Sequence, residues 1–404
     1  MRSLRMATVT SLPNAPAAPS VVDKVRALVP ELRAAQAESD RLARPPAHIV
    51  EKLREAGAYK LTVPAQYGGL EANMKTWMDT VVEIGRGDAG VAWAVTLVTS
   101  CNWAFSSYFP KHIVDEVFAD PNATLAGIFT GRAVKIKPVK GGIHVEKGTW
   151  FFNSGVYEAT WDLLGVPMFD ADGNEIGPGI ALVPMSDVKL LNDWNTSGIR
   201  GSGSTNVAME DVFIPNERII PLVPIADGTY PRTHMGAAPR VAFMPLMASI
   251  LSYPLIGASQ HMVEYFLETL PKRDIKLTPY TNAAEAPVTH LQIGEATAKI
   301  EAARLLIEDG VREMDDWSYR AEYMPIELRA KIRRDTAFAE RLMWEGVDQL
   351  GTVSGGSFSW LSNIGNRLWQ DVKVGTLHPL ISAPSNYEMY GRMIAGVEPP
   401  LMLI

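Results

Sequence analysis

From residue 21 onward the spacing of apolar positions follows two different periods, and the period changes twice. Over "VVDKVRALVPELRAAQAESDRLARPPAHIVEKLREAGA", Val21 to Ala58, apolar residues recur every three or four positions. That is the spacing of helices with one buried face, and Pro45-Pro46 divides two of them. A turn-rich break, "LTVPAQYGGL", follows at Leu61 to Leu70. Met74 to Phe109 predicts two helices, the second apolar on most sides and so buried all round. "PKHIVDEVFAD" predicts one more short helix.

Near residue 120 the period shifts toward two. Val134, Ile136 and Pro138 alternate with Lys135 and Lys137, Gly141-Gly142 supplies a turn, and Asp172-Gly173-Asn174 signals a hairpin. Residues 120–222 therefore predict short strands. From about Tyr230 the helical period returns in three long amphipathic patterns, Pro254 to Leu270, Val288 to Trp317 and Ile326 to Leu350. The predicted organisation is a disordered lead-in over 1–20 and an N-terminal helical domain over 21–119. A central β domain over 120–224, a connecting loop over 225–245 and a C-terminal helical bundle domain over 246–404 complete it. A connection of that length inside a compact protein is often functional.

Composition narrows the function. A chain of 404 residues with 47% hydrophobic content buries a sizeable core. A net charge of -7 gives no reason to expect nucleic acid as partner. The single cysteine, Cys101, excludes an intrachain disulfide and a thiolate metal cluster, and no metal is expected. The first twenty residues lack the apolar core of a signal peptide. No run reaches the roughly 18 apolar residues of a membrane span, so a cytoplasmic protein is expected. The closest string to a dinucleotide fingerprint, "GIRGSGS" at Gly198 to Ser204, runs into strand rather than helix, which argues against a nicotinamide site.

Four strings in order carry a family resemblance: "VPAQYGG" (Val63 to Gly69), "GTWFFNSG" (Gly148 to Gly155), "SGIRGSGSTNVAMEDVFIP" (Ser197 to Pro215), and "LGTVSGGSFSW" with "RLWQDVKV" near the C-terminus. Together they resemble the acyl-CoA dehydrogenase fold: an N-terminal helical domain, a central β-barrel or sandwich domain and a C-terminal four-helix bundle. In many such dehydrogenases a glutamate after the arginine–aspartate helix abstracts a proton. Counted from Asp371, that glutamate falls on Pro379 and the residue before it on His378. Proline has no acid–base group.

A histidine in that region resembles a sister group, the flavin-dependent monooxygenases that are oxygenase components of two-component systems. "DAGVAWAVTLVTS" (Asp88 to Ser100) and "NDWNTSGIRGSGS" (Asn192 to Ser204) agree with it. The resemblance implies reduced FAD or FMN supplied by a separate flavin reductase, reaction with O2 through a C4a-hydroperoxyflavin, and hydroxylation or epoxidation of a small aromatic or heteroaromatic substrate. It also implies a homotetramer. Oxidation of a nitrogen or sulfur heteroatom, or an FAD-dependent acyl-CoA dehydrogenase, are the alternatives.

The resemblance also implies site residues. His378 is either a proton-transfer group at the substrate, as a base or a hydrogen-bond donor, or a polar cap in a turn. Ser154 would stand near flavin N5, or satisfy its own turn. Trp150 and Phe152 would lie near the flavin ring or pack in the core. Arg200, Ser202 and Ser204 would meet the ring or ribityl chain, and Arg273 the phosphate. Several phenol hydroxylases of the group carry a second histidine where this chain has Cys101, Asn102 and Trp103. Those three are candidate substrate contacts, and the missing histidine favours a neutral heteroaromatic such as indole. Cys101 also reads as an inert buried residue.

Overall fold

The computed structural model describes residues 19–232, 240–320, 322–397 and 404. Most of the lead-in and the middle of the 225–245 connection lie outside the described residues.

Five helices come first: α1 (Val21–Leu42), α2 (Ala47–Ala56), α3 (Met74–Gly87), α4 (Ala89–Tyr108) and α5 (Lys111–Phe118). Side-chain caps set where they start. The Ser20 hydroxyl accepts from the Asp23 N–H while the Asp23 carboxylate accepts from the Ser20 N–H. Asn73 caps α3 through the Thr76 N–H, and Asp88 caps α4 through the N–H groups of Gly90 and Val91. Because α4 is apolar around its whole circumference, it runs through the interior, against α3, strand β1 and the later helix α8.

Eight strands follow: β1 (Leu125–Ile128), β2 (Ala133–Val139), β3 (Gly142–Trp150), β4 (Trp161–Phe169), β5 (Glu175–Pro184), β6 (Lys189–Leu190), β7 (Val207–Pro215) and β8 (Ile219–Pro221). They form two four-stranded sheets, ordered β1-β4-β5-β8 and β2-β3-β7-β6. Only β1 and β4 pair in parallel. The Asp-Gly-Asn signal closes the β4–β5 hairpin: the Asp170 N–H donates to the Asn174 carbonyl at 2.9 Å, and Gly173 takes φ +84°. Val145, Trp150, Leu164, Val183 and Met209 fill the space between the sheets.

The connection is bracketed by two short helices, α6 (Leu222–Ala226) and α7 (Phe243–Ser249), which the proline-rich sequence does not predict. Every residue of α7 is buried, so packing rather than propensity holds it helical. The bundle comprises α8 (Ser252–Thr269), α9 (Pro287–Ser318), α10 (Ile326–Thr352), α11 (Ile364–Gly375) and α12 (Ala383–Ile394). Glycines bring it against the first domain. A Cβ on Gly85 would lie 2.5 Å from the Pro254 carbonyl oxygen, and one on Gly257 only 2.2 Å from that of Val82. The α3–α8 crossing is therefore closed to larger residues.

One buried group of the bundle makes stability depend on pH. Glu340 on α10 is 2% exposed, and among the described residues only the Ser252 hydroxyl faces its carboxylate. Burial pushes its pKa up to about 8. The folded chain keeps this proton between pH ~4.5 and ~8 while the unfolded chain loses it, so stability falls as pH rises through that window. Glu340→Gln, which cannot ionise, should gain on the wild type by roughly 4 kcal/mol between pH 5 and pH 9. Parallel unfolding midpoints for the two proteins across that range would contradict this.

Candidate active site

Two turns of the β domain meet at a chain of hydroxyls. The Ser154 Oγ lies 2.6 Å from the Ser204 Oγ, which lies 2.7 Å from the Ser202 Oγ. The turns are tied by their backbones, with the Asn153 N–H donating to the Thr205 carbonyl and the Phe152 N–H to the Asn206 side chain. Phe152 is mostly exposed, sits at φ +66°, and meets Trp194 edge-on at 6.2 Å. A non-glycine residue in that region of φ is strained, a state found most often at binding sites. The exposed Phe152 ring and the serine chain thus belong to one rim. Trp150 does not: its ring is fully buried between the sheets and its indole N–H donates to the Gly165 carbonyl at 2.8 Å. It is core, not a flavin-stacking residue.

The second turn docks on α11. A Cβ on Gly198 would lie 2.2 Å from the Gln370 carbonyl oxygen, and the Ile199 N–H donates to Asp371 at 2.6 Å. Beside it, the Arg367 guanidinium meets Asp40 of α1 at 3.0 Å, Asp88 of α4 at 3.1 Å and Asp371 of its own helix at 3.2 Å. Asp40 also takes Arg200, at 2.5 Å. Arg200 spends its remaining contacts on Ser197 and Gln370. Its expected role at the cofactor is corrected to one in this ionic clamp, which joins all three parts of the chain below the serine turn.

At its C-terminal end α11 delivers His378. Pro379 starts a short 3₁₀ turn, and His378 caps it by accepting the Leu380 N–H at Nδ1, 3.3 Å away. The partly buried ring lies 6.1 Å from that of Trp93 on α4. The protein around it lowers its pKa to about 4, so the imidazole is neutral at pH 7. With Nδ1 acting as acceptor, the ring proton resides on Nε2. His378 is therefore both a turn cap and a donor, and its resting tautomer is not that of a base at Nε2. Trp93, in "VAWAV", is a neighbour that sequence reasoning quoted but did not select.

The three candidate substrate contacts on α4 turn inward. Asn102 is fully buried and bridges segments, donating to the Tyr59 carbonyl and accepting the Leu125 N–H, each at 3.0 Å. Cys101 packs on Gly127, and burial raises its thiol pKa above the ordinary range. Both are corrected to structural roles: on a helix enclosed all round, a polar side chain serves its neighbours. Trp103 joins an aromatic cluster with Tyr108 at 5.7 Å and Phe243 at 6.1 Å. Its indole N–H and the Tyr108 hydroxyl have no hydrogen-bond partner among the described residues.

Arg273 stands apart from these groups. It follows α8, and its guanidinium lies 4.7 Å from the centre of the Phe266 ring of that helix. One nitrogen donates to the Ser354 carbonyl at 3.1 Å, while Nε and Nη2 are buried without a partner. Burial lowers its pKa from the ordinary value, and no carboxylate pairs with it. A desolvated guanidinium with two idle donors fits a phosphate. The adjoining Gly355 and Gly356 leave open space for one. The chemistry of the serine rim suits a flavin ring, and that of this cation a phosphate.

Comparison with known proteins gives the family. Profiles of the acyl-CoA dehydrogenase N-terminal and C-terminal domains match residues 18–108 and 249–383. The oxygenase component of p-hydroxyphenylacetate 3-hydroxylase from Acinetobacter baumannii is 28% identical over 94% of this chain and 90% of its own. XiaF from Streptomyces sp., solved in complex with FADH2 and glycerol, superposes with a TM-score of 0.87 at 27% identity, covering 95% and 97% of the two chains. The chain belongs to the acyl-CoA dehydrogenase family. The 3-HSA hydroxylase from Rhodococcus sp. RHA1 is equally similar in shape, with a TM-score of 0.88, 26% identity and coverage of 96% and 99%. No helix among the described residues is long and apolar enough to cross a membrane.

Proposed function

We propose that the protein is the oxygenase component of a two-component system that hydroxylates a small aromatic or heteroaromatic compound. The observation that carries this is His378. Where many dehydrogenases present a carboxylate this chain has Pro379, and one residue earlier it presents a neutral imidazole with its proton on Nε2. A donor there suits a reaction in which oxygen must be steered to an electron-rich ring, and not one that begins by removing a proton from carbon. Bound reduced flavin supplies the two electrons: substrate C–H, O2 and reduced flavin yield C–OH, water and oxidised flavin.

The chain's own residues divide the remaining work. Ser154 and Phe152 border the flavin ring, and Arg273 holds the phosphate. Trp93 and His378 face the substrate, with Trp103 in the wall behind. The relatives' descriptions as an oxygenase component and as hydroxylases support a separate flavin reductase and a ring-hydroxylating reaction. Exposed Leu291, Leu305 and Phe338 on α9 and α10 support self-association, as in a homotetramer. The single buried cysteine suits a cytoplasmic enzyme.

The test is product analysis. Protein, a flavin reductase, NADH, flavin and ¹⁸O2 are incubated with a panel of phenols, indoles, amines and sulfides, and products are read by mass spectrometry. Incorporation of one labelled oxygen at ring carbon is expected. Labelled N-oxides or sulfoxides alone would move the reaction to heteroatoms. Bleaching of bound FAD by an acyl-CoA, without oxygen incorporation, would sink the proposal.

A further inference from the structure

The serine chain has a direction, and its buried end sets it. Ser154, Ser204 and Ser202 are 5%, 3% and 0% exposed. Three hydroxyls carry three protons, and the two hydrogen bonds between them use two. One proton is left, at one end or, if both outer serines donate to Ser204, on Ser204, where it would find no further acceptor among the described residues. At the Ser202 end it would be stranded, because that residue has no contact with solvent and, among the described residues, its hydroxyl has no side-chain or backbone partner but Ser204. A buried donor left without an acceptor is disfavoured by its whole desolvation cost. At the Ser154 end it reaches the rim. Ser202 therefore donates to Ser204, Ser204 donates to Ser154, and Ser154 directs its proton outward.

The surrounding turn holds this arrangement. Gly203, between the two inner serines, takes φ +61°, and a Cβ there would lie 2.8 Å from the Tyr157 ring and 3.1 Å from Arg44. The Thr205 N–H closes the turn on the Gly203 carbonyl at 2.7 Å.

We infer that Ser204 is a positioning residue, backed by Ser202, that makes the Ser154 hydroxyl an outward hydrogen-bond donor to the flavin ring. This rests on the proposed placement of Ser154 beside the flavin. A hydroxyl that accepts one hydrogen bond is polarised to donate a stronger one, and a single orientation replaces several. The chain contributes no ionisable group, so the donor strength of Ser154 is the same across neutral pH.

The experiment binds oxidised FMN and oxidised FAD to the intact protein and reads dissociation constants and the visible spectrum of the bound flavin. A hydrogen bond donated to the ring displaces the long-wavelength band, which a change in folding stability alone does not do. Ser154→Ala should weaken binding about 10-fold and move the band toward that of free flavin. Ser204→Ala should weaken it about 3-fold and move the band part of the way, and Ser204→Thr should restore both. Ser204→Cys keeps the volume but not the donor, so it should match Ser204→Ala; it serves if the alanine variant does not fold. Wild-type spectrum and affinity in Ser204→Ala or Ser204→Cys, with both changed in Ser154→Ala, would overturn the inference and leave Ser154 acting alone. No change in Ser154→Ala would instead overturn the placement of Ser154 at the flavin.

Discussion

Arg367→Ala should destabilise the protein by about 3–5 kcal/mol, the loss seen when one partner of a buried ion pair is removed. The guanidinium serves three carboxylates, and two of them, Asp88 and Asp371, are almost completely enclosed. Without it they face one another across a site that excludes water. Burial already holds the Asp371 pKa up at about 6 despite the adjacent cation. The damage should extend to the rim, because Asp371 accepts the Ile199 N–H of the serine-bearing turn. Flavin affinity should therefore fall along with the thermal midpoint. Arg367→Lys keeps the charge but not the planar fork, and should land between the two. A thermal unfolding midpoint within 1–2 °C of wild type for Arg367→Ala would show the cluster to be worth far less than its geometry implies.

His378→Asn should lower hydroxylation by 100-fold or more, the scale of losing a positioned proton-transfer group. Asparagine is itself a good cap, so it can accept the Leu380 N–H and leave the turn after α11 intact. Flavin oxidation should continue, with the oxygen appearing as hydrogen peroxide rather than in product. The pH dependence gives a second check. The folded pKa of about 4 lies below the ordinary histidine value, so the ring stays neutral from pH 5.5 to 8. The hydroxylation rate should show no step near pH 6.5 that His378→Asn removes. A variant with unchanged rate and unchanged coupling to product would return His378 to a purely structural cap.

Local pattern carried the architecture because each part of the chain repeats one period long enough to be read. α4 shows this well: its apolar circumference predicts burial, and the structure encloses it. α7 shows the opposite case. Its sequence has no strong helical signal, and only packing against Trp103 and Phe129 makes it a helix.

For the site, residue types and order placed His378 after the α11 helix and ruled out a carboxylate at Pro379, since both follow from counting along one segment. The partners of those residues did not follow. Arg200 and Ser204 lie four positions apart in one string. One turns to Asp40, 160 positions away, and the other to Ser154, 50 positions away. Trp150 and Phe152 share a strand end, yet one is sealed between sheets and the other stands at the rim. Asn102 has the chemistry of a ligand contact, and only its bonds to Tyr59 and Leu125 show it to be a brace.

The sequence by itself determined the three-part order of the chain, the absence of a carboxylate at Pro379 and the presence of an imidazole beside it, because these depend on residue identity at short separation. The tertiary structure alone decided which side chains are free to act. A polar group's role depends on where its hydrogen bonds end, and here they end on residues that are distant in sequence and meet only when the helical domains close around the β sheets.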